Sequence, residues 1–536
     1  MIVVLIVVLP LLVIFIKSGS LSVDSWKLLW KNSIPGLLWR TIKLAIVVAI
    51  FTIVMGVSTA WLLTRCRFRG SSMLVWIMVI PLAIPTYVYA DIYIRLLSDS
   101  GWLSWLAVLW NDIVIPSSIM QGLQSAWLWM TGDPVILSEL TDLLSVALVL
   151  SFASFSYVFL MVRASLSRST QSLEEAARIQ GSSSQAVFWR VNVPLLRPAI
   201  AASMAIVVLH TISDFGAVNI LQYRTFTYAV YLEYLNNTSD LGRPAALSMV
   251  VVFLAMTFLI LERFFRSRQK YYSNDNELKE SQIRKLSGWK KLLVWLWIGL
   301  IATFAVLLPV GWILVNSVET YLNGKAGWVL WDNSVSSFLV ATTAATVALA
   351  AGFPIAYYHS RRKTFVSAVC MHASNVGFIL PGPIIALGVL IIATSIFSEL
   401  SSTVYLVIWI AAVSIRYLPL AVQSQESLLQ QLTPSMEQAG RILGASSWEN
   451  LRRVILPVIK PGMISAWVLV FIDALKELPA ALLLRQIDVN TLPVMIWEQA
   501  NEELIEGTAL ASLMLIVATL PAIWLMMRGQ RPRKSS

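Results

Sequence analysis

Two stretches decide the reading of this chain: SLEEAARIQGSSSQAVFWRVNVPLLRP at residues 172–198 and SMEQAGRILGASSWENLRRVILPVIKP at residues 435–461. They align without a gap at a constant offset of 263 residues, so the chain is a fused duplication. Each copy is polar and charged and runs at once into an apolar segment. That order describes a loop with helical character lying just outside a membrane, and its repetition describes a docking surface used twice.

Working outward, composition fixes the class. Hydrophobic residues make up 57% of the chain and charged residues 13%, with a mean hydropathy of +0.74. A soluble domain so composed would expose large apolar patches, so the expectation is an all-α polytopic membrane protein. The net charge of +11 does not point to nucleic acid, because Lys and Arg come in short clusters between apolar runs instead of forming one basic face. Cys66 and Cys370 have neither metal-ligand nor C-x-x-C spacing.

A span needs roughly 20 apolar residues. That ruler gives about twelve segments: 1–16, 40–63, 72–95, 143–162, 198–222 and 244–262 in the first half, then 292–315, 335–358, 366–396, 403–422, 461–484 and 507–527. The opening MIVVLIVVLPLLVIFIK has no basic n-region and no small-residue cleavage site, so it reads as a short first span and not as a signal peptide. The halves are residues 1–265 and 292–536, joined by a polar linker at 266–291 whose plain role is that of a tether.

Lys and Arg in short loops stay on the cytoplasmic side. Arg65, Arg67 and Arg69 follow the second span, Arg361, Arg362 and Lys363 follow the eighth, and the linker, both repeated loops and the tail RGQRPRK are also basic. With both termini inside, all of these share the cytoplasmic face; Lys17, Lys27, Lys31 and Arg40 in the first external loop run against the trend. The long external loop at 98–142 carries WLSWLAVLW and AWLWM, which suit short helices lying in the interface. A contact of that loop with an external partner is the alternative.

The repeated loops have a readable local chemistry. Ser172 and Ser435 suit helix caps, with Glu174, Glu175 or Glu437 in the first turn near the positive helix end. Gly181 and Gly444 then offer positions without a Cβ, suited to ending that helix or to letting another backbone approach. Pro194 with Pro198, and Pro457 with Pro461, turn the chain into the next span. Glu175, Ala176, Ala177 and Gly181, followed by Val191-Asn192-Val193-Pro194, resemble the E-A-A, G, I-x-L-P loop of permease subunits of ATP-binding-cassette importers. The second copy matches through Ala439, Gly444 and Val454-Ile455-Leu456-Pro457, but has Gln438 for the motif Glu and Gly440 for the second Ala.

The resemblance implies the type I permease fold, in which two homologous six-helix halves form one pathway. It further implies that two cytoplasmic ATP-binding subunits grip the two loops, that an external binding protein delivers the substrate, and that the home is the bacterial cytoplasmic membrane. ATP binding would draw the loops together and open the pathway outward; hydrolysis would reset it. No G-x-x-x-x-G-K-[ST] phosphate loop is present, so this chain is expected to be no enzyme, to bind no cofactor and to borrow its ATPase.

Polar residues within spans are the pathway candidates, because lipid makes them costly. The same offset of 263 superposes Asp214 on Glu477, and Lys476 and Asp473 lie beside the latter. One reading has the two carboxylates facing each other across the pathway. The other has helix-end residues just clearing the hydrocarbon, or Asp473 pairing with Lys476 or Glu477 on its own helix. The third span adds Asp91 and Arg95, with Pro81 and Pro85 as kinks matched by Pro381 and Pro383 in the ninth; Tyr89 and Tyr93 read as interfacial belt residues. His210 reads as an interhelical contact.

Three segments, SDFGAVNILQYRTFTYAVYLEY from Ser213, ILPGPIIALGVL from Ile379 and KELPAALLLRQIDVNTLPVMIWEQA from Lys476, closely resemble fused permeases of ferric-iron importers. Carboxylates suit a hard cation, yet no complete ligand set is visible, and thiamine, polyamine, sulfate or phosphonate permeases share the fold. A proton-coupled twelve-span carrier is the alternative of another class; it has no need of two matching docking loops.

Overall fold

The computed structural model describes residues 2–68, 70–98, 101, 103, 136–168, 177, 179–236, 241–267, 284–285, 288–324, 327–375, 377, 380–397, 401–430, 432, 436, 438, 442, 444–485 and 489–529. Among them, helix occupies every one of the twelve expected segments. Eight are single helices long and apolar enough to cross a membrane: Ile34–Arg65, Asp142–Leu166, Trp189–Ser213, Gly242–Leu261, Trp289–Leu322, Leu330–Arg361, Ser402–Gln430 and Ser447–Leu475. Two more are pairs bent by 100°, Val3–Gly19 with Val23–Asn32 and Ser71–Ala83 with Thr86–Leu97. Shorter apolar helices fill the remaining places, Phe365–Ser374 and Gly382–Ile396 at the ninth segment and Gly507–Pro521 at the twelfth. Most of the Trp-rich loop, at 104–135, and most of the linker lie outside the described residues.

The second span shows why these helices belong in lipid. Leu44, Val48, Thr52 and Met55 are buried, whereas Ile46, Ile50 and Val54 stay about half exposed at a spacing of four residues. An apolar stripe left outside the protein at helical period needs an apolar solvent.

Proline explains where the helices change pitch. Three π turns occur among the described residues, Phe188–Asn192, Thr303–Leu307 and Leu451–Ile455. Each contains the carbonyl four residues before a proline: Arg190 before Pro194, Ala305 before Pro309, Arg453 before Pro457. A prolyl nitrogen cannot donate to that carbonyl, and a wider turn is the local response. At Ala305 the freed oxygen accepts the Tyr89 hydroxyl at 2.6 Å, and the Phe304 carbonyl accepts that of Tyr93. These two tyrosines are therefore buried rivets between the third and seventh spans, not belt residues. In a membrane interior an unsatisfied carbonyl is costly enough to recruit them.

The expected kinks are complete breaks. Pro81 lies in the 3-10 turn Ile80–Ala83, and Pro85 starts the helix Thr86–Leu97 from extended backbone. Pro381 does the same for Gly382–Ile396, with Pro383 inside its first turn, where a missing N–H costs nothing. The fifth and eleventh spans are broken too, although their apolar runs are continuous. Val193–Ser213 stops at Asp214 before the short helix Gly216–Ile220, and Leu456–Leu475 stops at Lys476 before Pro479–Leu484.

The chain packs into two compact units that do not follow its sequence halves. One comprises Met1–Lys31, Ala229–Phe253 and Thr320–Ser536; the other comprises Asn32–Tyr228 and Leu254–Glu319. Each unit thus takes the opening helix of the other half. In the first, a Cβ at Gly388 would stand 2.7 Å from the Pro10 carbonyl oxygen, and Ser18 Oγ donates to Met249 Sδ at 3.0 Å. In the second, Trp297 Nε1 donates to Ser58 Oγ at 2.9 Å, and the Trp295 ring stands edge-on to Phe68. Two linker residues, Arg284 and Lys285, pair in parallel with Cys66 and Arg67 there.

Candidate functional site

Each unit carries one of the repeated loops. Gly181 and Gly444 both have φ +84°, a left-handed conformation that L side chains resist, and nothing lies within 4 Å of where a Cβ would be. The Ser182 amide donates back to the Ala177 carbonyl at 3.0 Å, the long return bond of a helix ended by such a glycine. Glu174, Glu175, Ala176, Glu437 and Ala439 lie outside the described residues, as do Ser172 and Ser435. Gln438 is helical and exposed.

The second short helix of the second loop is closed by Ser446, whose hydroxyl accepts the Glu449 amide at 3.2 Å while Glu449 Oε2 accepts the Ser446 amide at 3.0 Å. Ser446→Ala is expected to speed amide exchange at Glu449 about fivefold, since it removes one half of this box. Unchanged protection there would mean the box is not formed.

The sequence reading missed one pair in these loops. Ile179 and Ile442, equivalent at the repeat offset, are 87% and 85% exposed, the most exposed large apolar side chains among the described residues. Both loops thus keep an exposed isoleucine at the same place in the repeat. The signal was in the repeat itself: an apolar residue kept inside a polar stretch.

From each loop the chain enters a long helix, and a carboxylate follows each helix end, Asp214 directly and Glu477 after Lys476. Asp214 Oδ1 accepts the amides of Ala217 and Val218 at 3.1 and 3.2 Å, and Glu477 Oε1 accepts that of Ala480 at 3.3 Å. Both therefore cap the short helix beyond the break, a use of acidic groups at positive helix ends. Asp214 also accepts from Thr86 Oγ1 at 2.5 Å, and is 7% exposed. Glu477 accepts from Arg416 Nη1 at 2.8 Å and from the Tyr417 hydroxyl at 2.7 Å, and is likewise 7% exposed.

The other candidates are engaged locally. Asp473 pairs with Lys476 at 3.3 Å on its own helix, as the second of the two readings has it, while Glu477 turns to Arg416 instead. Asp91 pairs with Arg95 one turn on, at 2.8 Å, with both side chains largely buried. His210 stands edge-on to Tyr157 with ring centroids 5.9 Å apart. Arg416 went unnoticed in the sequence, although a lone cation inside the apolar run 403–422 is itself a signal.

A cavity of about 10 Å³ adjoins Glu477 between Ser337, Trp409 and Thr491. It has room for one water at most, and apolar side chains such as Val340, Val413 and Leu475 make up most of its lining. Among the described residues no group of three or more His, Cys, Asp or Glu is placed to hold a metal ion.

The described geometry is a duplicated loop leading through a long helix to a break that a carboxylate caps. Comparison with known proteins agrees with it. The family described as "Binding-protein-dependent transport system inner membrane component" matches the chain twice, at residues 52–270 and 345–531. The chain is 28% identical over 522 residues to the Fe(3+)-transport system permease protein FbpB 2 of Haemophilus influenzae, covering 95% of this chain and 93% of that one. It is 20% identical to the ferric transport system permease protein FbpB of Actinobacillus pleuropneumoniae, over 71% of this chain and 57% of that one. It is 28% identical to the sulfate transport system permease protein CysT of Escherichia coli, over 48% of this chain and 85% of that one. Two matches in one chain, one in each sequence half, mean that this multi-pass membrane protein belongs to the family of binding-protein-dependent transport permeases, as a fused pair.

Proposed function

We propose that the chain is the transmembrane permease of an ATP-driven importer that carries ferric iron, handed over by an external binding protein, into the cytoplasm. The observation that carries this reading is the pair of loops, each with a left-handed glycine and an exposed isoleucine, joined to helices followed by carboxylates that cap the next turn. Val193–Ser213 and Leu456–Leu475 have 21 and 20 residues, so each carries a displacement at its socket through roughly 30 Å to its break.

In this reading two cytoplasmic ATP-binding subunits seat on the sockets and hydrolyse the ATP; the chain binds no cofactor and is no enzyme. Glu174, Glu175, Ala176, Ala177, Gly181, Glu437, Gln438, Ala439 and Gly444 make up the coupling surface. Both termini lie on the cytoplasmic face of a bacterial cytoplasmic membrane, the side to which the basic loops assign them. Iron as cargo is supported by the names of relatives, one of which matches 95% of the chain.

The test is uptake of radiolabelled ferric ion by vesicles holding the chain, with its ATPase and binding protein either supplied or left out. Uptake is expected only with both partners and ATP. Transport driven by an ion gradient alone would overturn the importer reading, and preference for sulfate, thiamine or a polyamine over ferric ion would overturn the cargo.

A further inference from the structure

The two units solve the same structural problem with different residues, and the differences compensate each other. Their correspondence is fixed by hydrogen bonds: the Phe226 amide donates to Thr41 Oγ1 at 3.3 Å in one, and the Leu492 amide to Ser337 Oγ at 2.7 Å in the other. The offset that matches Thr41 with Ser337 also matches Pro85 with Pro381, the residues that start the two helices after their breaks. It therefore sets Thr86 against Gly382. In the fourth and tenth spans, SFSYVFLMV from Ser154 aligns with SIRYLPLAV from Ser414, which sets Ser156 against Arg416 and Tyr157 against Tyr417.

In one unit the Thr86 hydroxyl reaches Asp214, and Ser156 turns away to donate to the Met78 carbonyl at 2.7 Å. In the other the helix start has no side chain, and the Arg416 guanidinium occupies the space. A Cβ at Gly382 would lie 1.6 Å from Arg416 Nη1 and 2.8 Å from Glu477 Oε1. Glycine at 382 and arginine at 416 are thus conditions of each other: one makes the room that the other fills, and Glu477 is the group that both serve.

We propose that Arg416, Gly382 and Glu477 form a charged latch that pins the break of the eleventh span to the ninth and tenth, and that Arg416 is a positioning residue of the transport cycle. The latch sits at the far end of the helix that begins at the second socket, so it is where a stroke at that socket must be resisted or released. A guanidinium held by a buried carboxylate, which also accepts the Tyr417 hydroxyl, resists more than the hydroxyl bond of Thr86 to Asp214 does. This inference rests on the proposed importer function only for its consequence, the coupling of ATP use to uptake.

The test uses the full chain with its ATPase and binding protein in vesicles, comparing Arg416→Ser, Gly382→Thr and the double variant with the unchanged chain. Yield of monodisperse protein and its midpoint of heat denaturation in detergent are read first, because they test the geometry without any transport. Each single variant is expected to lower uptake at least tenfold and to raise the ATP hydrolysed per ion imported several-fold. The double variant, which rebuilds the first unit's arrangement, is expected to return both to within about threefold of the unchanged chain. A merely structural role would reduce uptake and hydrolysis together with the amount of folded protein and leave their ratio alone. That result, or a double variant no better than the worse single one, overturns the latch. Failure of the unchanged chain to show ATP-driven uptake would instead count against the proposed function, and rescue of thermal stability in the double variant would still decide the geometry.

Discussion

Gly181→Val is expected to remove nearly all ATP-driven uptake while leaving the chain folded in the membrane. The reason is the backbone: φ of +84° at Gly181 puts any L residue in the left-handed region, and a β-branched side chain is the worst tenant there. Since nothing lies within 4 Å of the missing Cβ, the penalty comes from conformation and not from a clash. A series of substitutions should therefore be ordered by left-handed tolerance, with Asn mildest, Ala next and Val most severe. The same order is expected at Gly444, whose φ is also +84°.

Because Glu175 stands in the first loop where Gln438 stands in the second, the first is expected to be at least as sensitive. Uptake and retention of the ATPase through purification would measure the series. Equal damage from Asn and Val would mean that a partner's backbone, not this chain's torsion, demands the glycine.

Gly388→Leu is the second large effect, and it acts on assembly. A Cβ at this position would meet the Pro10 carbonyl oxygen at 2.7 Å and the Pro10 Cβ at 2.8 Å, so the first helix would have to move as a body. Overpacking of this kind costs about 3 kcal/mol, which should appear as a lower denaturation midpoint and a lower yield in detergent. Gly299→Leu is the control, since nothing lies within 4 Å of that position and the helix there is expected to tolerate the change. If both variants behaved alike, the first helix would not be seated on the ninth span.

What could be read from the residues was whatever periodicity and repetition carry. All twelve apolar segments are helical among the described residues, and the glycines of the repeated loops adopt the conformation that their place at a helix end requires. The breaks at Asp214 and Lys476 were hidden because Gly216–Ile220 and Pro479–Leu484 are as apolar as the helices before them. A hydropathy run does not register a single carboxylate turning back to cap the next turn. Tyr89 and Tyr93 misled for a related reason: a tyrosine near a span end reads as a belt residue, and the carbonyls that claim these two are freed by Pro309, more than 200 residues away in sequence. Arg416 was visible as a charge but not as a partner, since only packing reveals that Gly382 leaves the space for it.

The seating of Pro10 on Gly388 bears on how the molecule is made. Their positions differ by 378 residues, and a ribosome adding about 5–20 residues per second needs on the order of 20–80 s to produce the second after the first. Through that interval the opening helix sits in the bilayer before its permanent neighbour exists, with Leu5, Leu12, Phe15 and Ile16 facing lipid as they do in the finished protein. Its lipid-compatible exterior makes the wait harmless, and the order of synthesis makes this seam one between the oldest helix of that unit and a helix made 378 residues later.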